Sequence, residues 1–427
     1  MIDPHKLSAT QAAAAIRAGR LTSESLVEAC LAQIERREPE INAWAHYDAD
    51  AALQQARACD KAAPGSLGPL HGIPVGIKDV LDTVDMPTGY NSPIYQGHQP
   101  AWDAACVAAT RLTGGVILGK TVTTEFANSC PSQTRNPHNP DHTPGGSSSG
   151  SAAAVADFMV PLAVATQTGG STIRPAAFCG VVGYKPSFGT INRAGLKFVA
   201  ESLDTIGVIA RSVDDSALYV HAVSGRDLPD FNRKIKPPKI GFCRTPHWDQ
   251  ADAATQALLE ATAVRLARAG AEVRDVELSP EIASTYDEQS IVMYFETARA
   301  LAYEFKYFPE KISPNLRRRI EEGWNYPYAR YETALQRTAL ARQRFTELMG
   351  EYDILLSPSA RGEAPQGLQT TGDSVFNRSW TLLGTPSVTI PCGTGPSDLP
   401  IGVQVSGAYN TDSVTLSCAH WAWHQLN

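Results

Sequence analysis

Three short stretches of the chain place hydroxyl, amine and glycine residues where acyl transfer could use them. The densest is Pro144-Gly145-Gly146-Ser147-Ser148-Ser149-Gly150-Ser151-Ala152-Ala153-Ala154, a serine and glycine loop opening into a helix. Its Gly-x-Ser-x-Gly match centres on Ser148, but a nucleophile elbow must follow a strand, and Arg135 to Pro144 is polar and broken by proline. No Gly-Lys-Ser/Thr follows, so it is not a phosphate-binding loop. A flexible cap rich in N-capping serines is the plainer alternative. In the second stretch, Thr166-Gln167-Thr168-Gly169-Gly170-Ser171, an apolar run ends at two glycines and a serine. Successive N–H groups in such a turn can face one cavity as an oxyanion hole, with the hydroxyl beside them. A plain strand-to-loop turn would read the same. The third is Lys78, which closes the alternating run Ile73-Pro74-Val75-Gly76-Ile77. A lysine there is ordinarily an edge residue or a partner of neighbours such as Asp79 and Asp82. If it is buried, desolvation brings the amine from about 10.4 toward neutrality and makes it a general base.

Other catalytic groups are poorly supplied. Downstream of Ser171 the histidines are His221, His247, His420 and His424, the last two in a terminal helix with Trp421 and Trp423, where packing is the ordinary reading. No lysine follows a serine at Ser-x-x-Lys spacing, which removes the penicillin-binding type of serine enzyme. His138 and His142 share a loop with Asp141 but lack the cysteine pairing or helical His-Glu-x-x-His of a metal centre, so they read as solvated loop histidines and no metal is expected.

These stretches need elements to hold them. Leu26, Cys30 and Ile34 recur at helical spacing behind a Thr22/Ser23 cap, and an alanine-rich helix follows from Asp48 to Ala62. Strands are expected at Ile73 to Lys78, Val116 to Lys120 and Pro161 to Thr166, with helices at Asp103 to Leu112 and from Ser151 to about Met159. The polar stretch from Asn128 to Gly150 is longer than an ordinary connection and reads as functional. Lys239 to Cys243, Ala253 to Ala269 and Ala271 to Leu278 repeat strand, helix, strand; Tyr286 to Met349 is aromatic-rich and helical. Strands return at Asp353 to Leu356, Ser387 to Pro391 and Ile401 to Val405, before a helix from Thr411. Alternation of this kind predicts an α/β fold, and with no repeat, low-complexity tract or linker we expect a single domain over residues 1–427.

Composition narrows the classes. Of the 427 residues 43% are hydrophobic and 19% charged, enough apolar material for a core and unlike a disordered chain. The 37 Lys+Arg against 44 Asp+Glu leave a formal charge of -7 with no basic block, so nucleic acid is not an expected ligand. The eight cysteines have no Cys-x-x-Cys pair and suggest a reducing compartment; Met1-Ile2-Asp3-Pro4-His5-Lys6 has no export pattern. The apolar stretch Ala152 to Thr166 is broken by Asp157 and Pro161 and too short for a bilayer, so the expectation is a cytoplasmic, non-membrane protein.

Taken jointly, Gly72-Ile73-Pro74-Val75-Gly76-Ile77-Lys78-Asp79, the Pro144 to Ala154 loop, and Gly169-Gly170-Ser171 with Phe178-Cys179-Gly180-Val181-Val182-Gly183-Tyr184-Lys185-Pro186 resemble the amidase signature family. Thr124-Glu125-Phe126-Ala127, Asp353 to Pro358 and Leu399 to Gln404 resemble family segments in the expected order, so the likeness covers nearly the whole chain. It implies one large open twisted mixed β-sheet with helices on both faces, and a Ser-cisSer-Lys triad without cofactor or metal. Carried onto this sequence, Ser171 is the nucleophile, Ser147 the bridging serine on a cis peptide bond and Lys78 the base. The N–H groups of Thr168, Gly169, Gly170 and Ser171 form the oxyanion hole. Two positions depart from the common pattern: Gln167 stands where many members have Asp, and Arg174 lies one place later than usual. The displaced arginine, Ser374 to Trp380 and the short length are similar to the malonamidase branch, small homodimeric amidases acting on a carboxylate-bearing amide. Arg174 then either clamps a substrate carboxylate through paired hydrogen bonds or is a structural ion-pair residue.

The function expected first is hydrolysis of a small primary amide to acid and ammonia, with a small-molecule substrate and a second copy of the chain as partners. The alternatives are the glutamine amidotransferase component of tRNA-dependent amidation, which works with partner subunits, and an aryl or aliphatic amidase of broad specificity. A non-catalytic interaction protein that kept the fold is set against the intact Lys78, Ser147 and Ser171. The pocket wall is expected from the aromatic helices Tyr286 to Tyr331 and from Asn377 to Trp380.

Overall fold

The computed structural model of the chain describes residues 3–63, 67–128, 130–227, 229–231, 233 and 235–427. Met1 and Ile2 of the amino-terminal reading and Ser129 of the long polar stretch lie outside them. Eleven strands run along the described chain: β1 (Trp44–Tyr47), β2 (Pro74–Lys78), β3 (Val116–Thr121), β4 (Leu162–Gln167), β5 (Val182–Lys185), β6 (Thr205–Ala210), β7 (Lys239–Phe242), β8 (Glu272–Asp275), β9 (Ile354–Pro358), β10 (Ser387–Thr394) and β11 (Pro400–Ser406). They form one open sheet in the order β1-β3-β2-β4-β6-β5-β10-β11-β9-β7-β8, flanked by helices. The sheet is mixed, as expected. β2 runs parallel to β3 and β4, and β7 parallel to β8 and β9, while β4, β6, β5, β10, β11 and β9 alternate in direction across the middle.

Three strands lie where none was expected. Two of them, β5 and β6, contain glycine, which weakens a strand pattern read from side chains alone. Their glycines are required by packing: a Cβ on Gly207 of β6 would sit 2.5 Å from the Tyr184 carbonyl of β5. The third, β1, follows the Ser23–Ile41 helix after only Asn42 and Ala43 and pairs antiparallel with β3.

The elements nearest the serine loops are built from small residues. β2 and β4 are buried along their whole length. The helix Ser149–Ala156, reading Ser-Gly-Ser-Ala-Ala-Ala-Val-Ala, is buried from Ser149 to Val155. So close a seat excludes side chains: a Cβ on Gly150 would lie 2.1 Å from the Ala43 carbonyl oxygen. Among the described residues no helix is long and apolar enough to cross a membrane.

Candidate active site

β2 delivers Lys78 at its last residue, and side chains alternate across a strand, so Lys78 and Asp79 point to opposite faces of the sheet. Asp79 turns to Lys120, 3.1 Å away, and to the Gly89 amide, while Asp82 accepts from the Tyr90 hydroxyl. Neither acid is the partner of Lys78. Its amine, wholly buried, meets hydroxyls instead: it donates to Ser147 Oγ at 2.7 Å and to Thr166 Oγ1 at 2.8 Å. Burial holds the amine well below its ordinary range, and Asp204 is the charge that opposes the shift.

Ser147 follows a cis peptide bond from Gly146. Ser147 and Ser171 line one cavity of about 270 Å³. Lys78 lies behind Ser147, away from that cavity.

The loop after β4 is held by its carbonyls. Thr168 O accepts from Gln289 Nε2 at 2.8 Å, Gly169 O from Thr381 Oγ1 at 2.7 Å, and Gly170 O from the Arg174 amide at 2.9 Å. In a trans peptide the N–H points opposite to the C=O. Tying those three carbonyls therefore fixes the direction of each following N–H, those of Gly169, Gly170 and Ser171. The Thr168 amide belongs to the peptide of Gln167, the last residue of β4, and this constraint does not reach it. Gly170 permits the close approach of Asn377, whose Oδ1 would be 2.3 Å from an added Cβ.

Gln167, which departs from the usual aspartate, is a buttress. Its Oε1 accepts from the Thr172 and Ile173 amides at 2.9 and 3.0 Å, and its Nε2 donates to Thr381 Oγ1 at 3.0 Å. Thr381 in turn holds Gly169. Gln167→Leu should leave two buried N–H groups unpaired and cost roughly 2 to 4 kcal/mol of stability in denaturant titration; an unchanged midpoint would contradict the buttress.

Arg174 is buried at 6% exposure on the short helix Ile173–Phe178. It donates to Gly146 O at 2.7 Å and to Thr371 Oγ1 at 3.3 Å, its Nε has no partner among the described residues, and it lines the cavity. Of the two expected roles, an ion pair is not what is found: its structural contact is to the carbonyl of the cis peptide. Burial lowers the guanidinium to about 10, so it stays charged near neutrality.

Much of the rest of the wall comes from the segments expected, the Tyr286 to Tyr331 helices and Asn377 to Trp380, but its side chains are mostly polar. From the helices Thr285–Ala300 and Pro314–Trp324 come Gln289, Met293, Asn315 and Arg319; Ala127, Asn128, Val199, Gln369 to Ser374 and Arg378 complete it. The aromatics stand behind the cations: Tyr286 lies 4.8 Å under Arg378 and Tyr294 5.5 Å from Arg319, while Trp380 is buried in a core cluster. Arg319 and Gln289 lie in the helices expected to line the pocket, but no local motif singles them out, nor the buttress Thr381, since each arrives from more than 100 residues away. Of the loop histidines His138 is exposed and His142 half-buried, and each ring makes one contact. His138 bonds the Cys179 carbonyl at 2.9 Å and His142 the Ala364 carbonyl at 2.7 Å, pinning the long polar segment.

The amidase sequence model matches residues 25–416. The chain belongs to the amidase family. It is 34% identical over 459 residues to a glutamyl-tRNA(Gln) amidotransferase subunit of Lachnospira eligens, covering 94% of each chain. A crystal structure of an amidase superposes with a TM-score of 0.90 at 27% identity, over 99% of this chain and all of that one. The crystal structure of the like-named glutamyl-tRNA(Gln) amidotransferase subunit from Thermotoga maritima gives 0.81 at 29% identity, covering 98% and 94%. This amidase is thus an enzyme of linear amide C–N bonds.

The relatives overturn one expectation, that the partners are a small molecule and a second copy, with nucleic acid excluded. They are named as subunits of an enzyme of glutamyl-tRNA, so neither a nucleic acid nor other subunits can be set aside on charge. A formal charge of -7 describes the field of this chain alone and says nothing of what a partner protein could hold.

Proposed function

We propose that this amidase cleaves a small primary amide through an acyl-enzyme on Ser171 and releases ammonia. What carries the reading is the 2.7 Å contact of the buried Lys78 amine with Ser147, whose hydroxyl opens on the cavity that Ser171 lines. Neutral Lys78 takes the Ser147 proton while Ser147 takes that of Ser171, and Ser171 Oγ bonds to the substrate carbonyl carbon. The oxyanion meets the amides of Gly169, Gly170 and Ser171, with Thr168 the fourth member of the set. The proton returns through Ser147 to the substrate nitrogen, the C–N bond breaks and ammonia leaves. Water then enters by the same relay and frees the acid.

Within that chemistry there are two readings. One is a stand-alone hydrolase of a carboxylate-bearing, malonamate-like amide. The other, which the relatives favour, is one component of a larger enzyme that draws ammonia from glutamine for tRNA-dependent amidation. Both substrates are primary amides with a carboxylate, and three guanidiniums against one carboxylate, Asp373, in the described lining suit either. Ammonia release by the isolated chain from malonamate, glutamine, aliphatic and aryl amides separates them. A glutamine preference, or activity appearing only with partner subunits and tRNA, selects the second, and release from neither carboxylate-bearing amide, alone or with those partners, removes both. Eight free thiols agree with a cytoplasmic setting.

If Arg174 clamps the carboxylate, Arg174→Ala should raise KM for an acidic amide about 10- to 100-fold, the worth of a charged hydrogen bond. Loss of the contact to Gly146 O lowers kcat for acidic and neutral amides alike, so the KM ratio is the readout; equal KM changes would remove the clamp.

A further inference from the structure

One buried carboxylate beside this site has no part in the proton relay. The register that pairs Gln167 with Thr205 sets Thr168 opposite Asp204, at the start of the same strand pair. Asp204 is 2% exposed, and both of its oxygens are engaged. Oδ1 accepts from the Thr168 hydroxyl, and Oδ2 accepts the Val199 amide at 2.7 Å and the Ala200 amide at 3.1 Å. Thr168 and Val199 both line the cavity, so one carboxylate ties two of its walls together.

We propose that Asp204 is a positioning residue for the amide chemistry: it pins the start of the Thr168 to Ser171 loop to the Val199–Ala200 wall and sets the electrostatic field in which Lys78 works. The proposal rests on the Ser171, Ser147 and Lys78 reading given above. The charged groups that face Asp204 are few. Arg193 donates to its backbone carbonyl at 3.2 Å and favours the ionised carboxylate, and Lys78 is the buried amine whose charged form Asp204 favours. Burial pushes Asp204 up to about 6, against the hydrogen bonds that pull it down, so it is ionised at neutral pH. The Lys78 amine is thus held between two opposed influences. Desolvation strips its proton and Asp204 restores part of the affinity, which the base needs when it takes a proton from a serine.

Two variants separate position from charge. Asp204→Asn keeps the shape and two-sided hydrogen bonding but removes the charge. Lys78 then loses its proton at lower pH, and the acid limb of the pH–rate profile should move down by about one unit. Thr168→Val keeps the charge and cuts the tie to the loop; the limb should stay while the rate falls about 10- to 100-fold. The readout is the rate at which a fluorophosphonate labels Ser171 across pH, which needs no knowledge of the natural amide. An Asp204→Asn limb at the wild-type position, or a Thr168→Val rate equal to wild type, overturns the proposal. Should Asp204→Asn not fold, Asp204→Ser takes its place in the pH profile, and Thr168→Val still decides the tie to the loop. Failure of wild-type protein to label at Ser171 would instead sink the underlying reading, so the two failures are distinct.

Discussion

Replacing Ser171 with alanine should lower ammonia release by at least about 10,000-fold, because no neighbouring hydroxyl can take its place. Ser147 is the nearest candidate, but it is 2% exposed and its oxygen is held by the Lys78 amine. Ser148 and Ser149 are turned into the protein, Ser148 toward Thr166 O and Ser149 donating to Gly145 O at 2.8 Å. The carbonyls that orient the Gly169, Gly170 and Ser171 amides are tied through Gln289, Thr381 and the Arg174 backbone, none of which the substitution touches. The variant should therefore fold and bind substrate as wild type does, and oxyanion stabilisation should leave a residual rate above that in water. Ammonia assay of both proteins at saturating amide checks this. Undiminished release would remove Ser171 as nucleophile and with it the acyl-enzyme.

How much of this could be read beforehand follows from how local each signal is. The segments holding Lys78, Ser147 and Ser171 stand out because each is a dense cluster of glycine, serine or alternating apolar residues; that Ser147 is the serine to single out in its loop was what the family likeness implied. Eight strands were also legible, since each carries an apolar run of its own, while the mixed sheet was what the family likeness implied. What stayed hidden depends on contacts far apart in the chain. Gln167 showed only as a departure from the common family pattern and proves to be a bracket joining a helix start to Thr381, 214 residues on. Asp204 lies in a turn before β6 with no pattern around it, and only the antiparallel register brings it to Thr168. The segments of the cavity wall were legible, Tyr286 to Tyr331 and Asn377 to Trp380 among them, but not which of their side chains face it. In the fold Tyr286 and Tyr294 back the arginines, and the guanidiniums face inward.

Lys78→Met separates catalysis from stability in a single variant. Removal of the base should cost about 100- to 10,000-fold in rate, the usual worth of general acid–base assistance. In wild-type protein the rate should rise with pH as the buried amine loses its proton, and level off well below the ordinary lysine range, since burial lowers its proton affinity. Stability carries the opposite mark. Between the lowered folded value and an unfolded value near 10.4, the unfolded chain binds more protons at this side chain than the folded chain does. Lys78 therefore costs stability at neutral pH, and the cost fades as pH rises toward the unfolded value. Methionine fills a similar volume without that cost, although Ser147 and Thr166 each lose a hydrogen-bond partner, worth about 1 kcal/mol apiece. The decisive quantity is thus the slope: the stability of wild type relative to Lys78→Met should climb as pH rises from the lowered folded value toward the unfolded value near 10.4 in denaturant titrations. A difference that stays flat over that range would mean the amine keeps its proton in the folded state. It could not then serve Ser147 as a base, whatever the size of the rate loss.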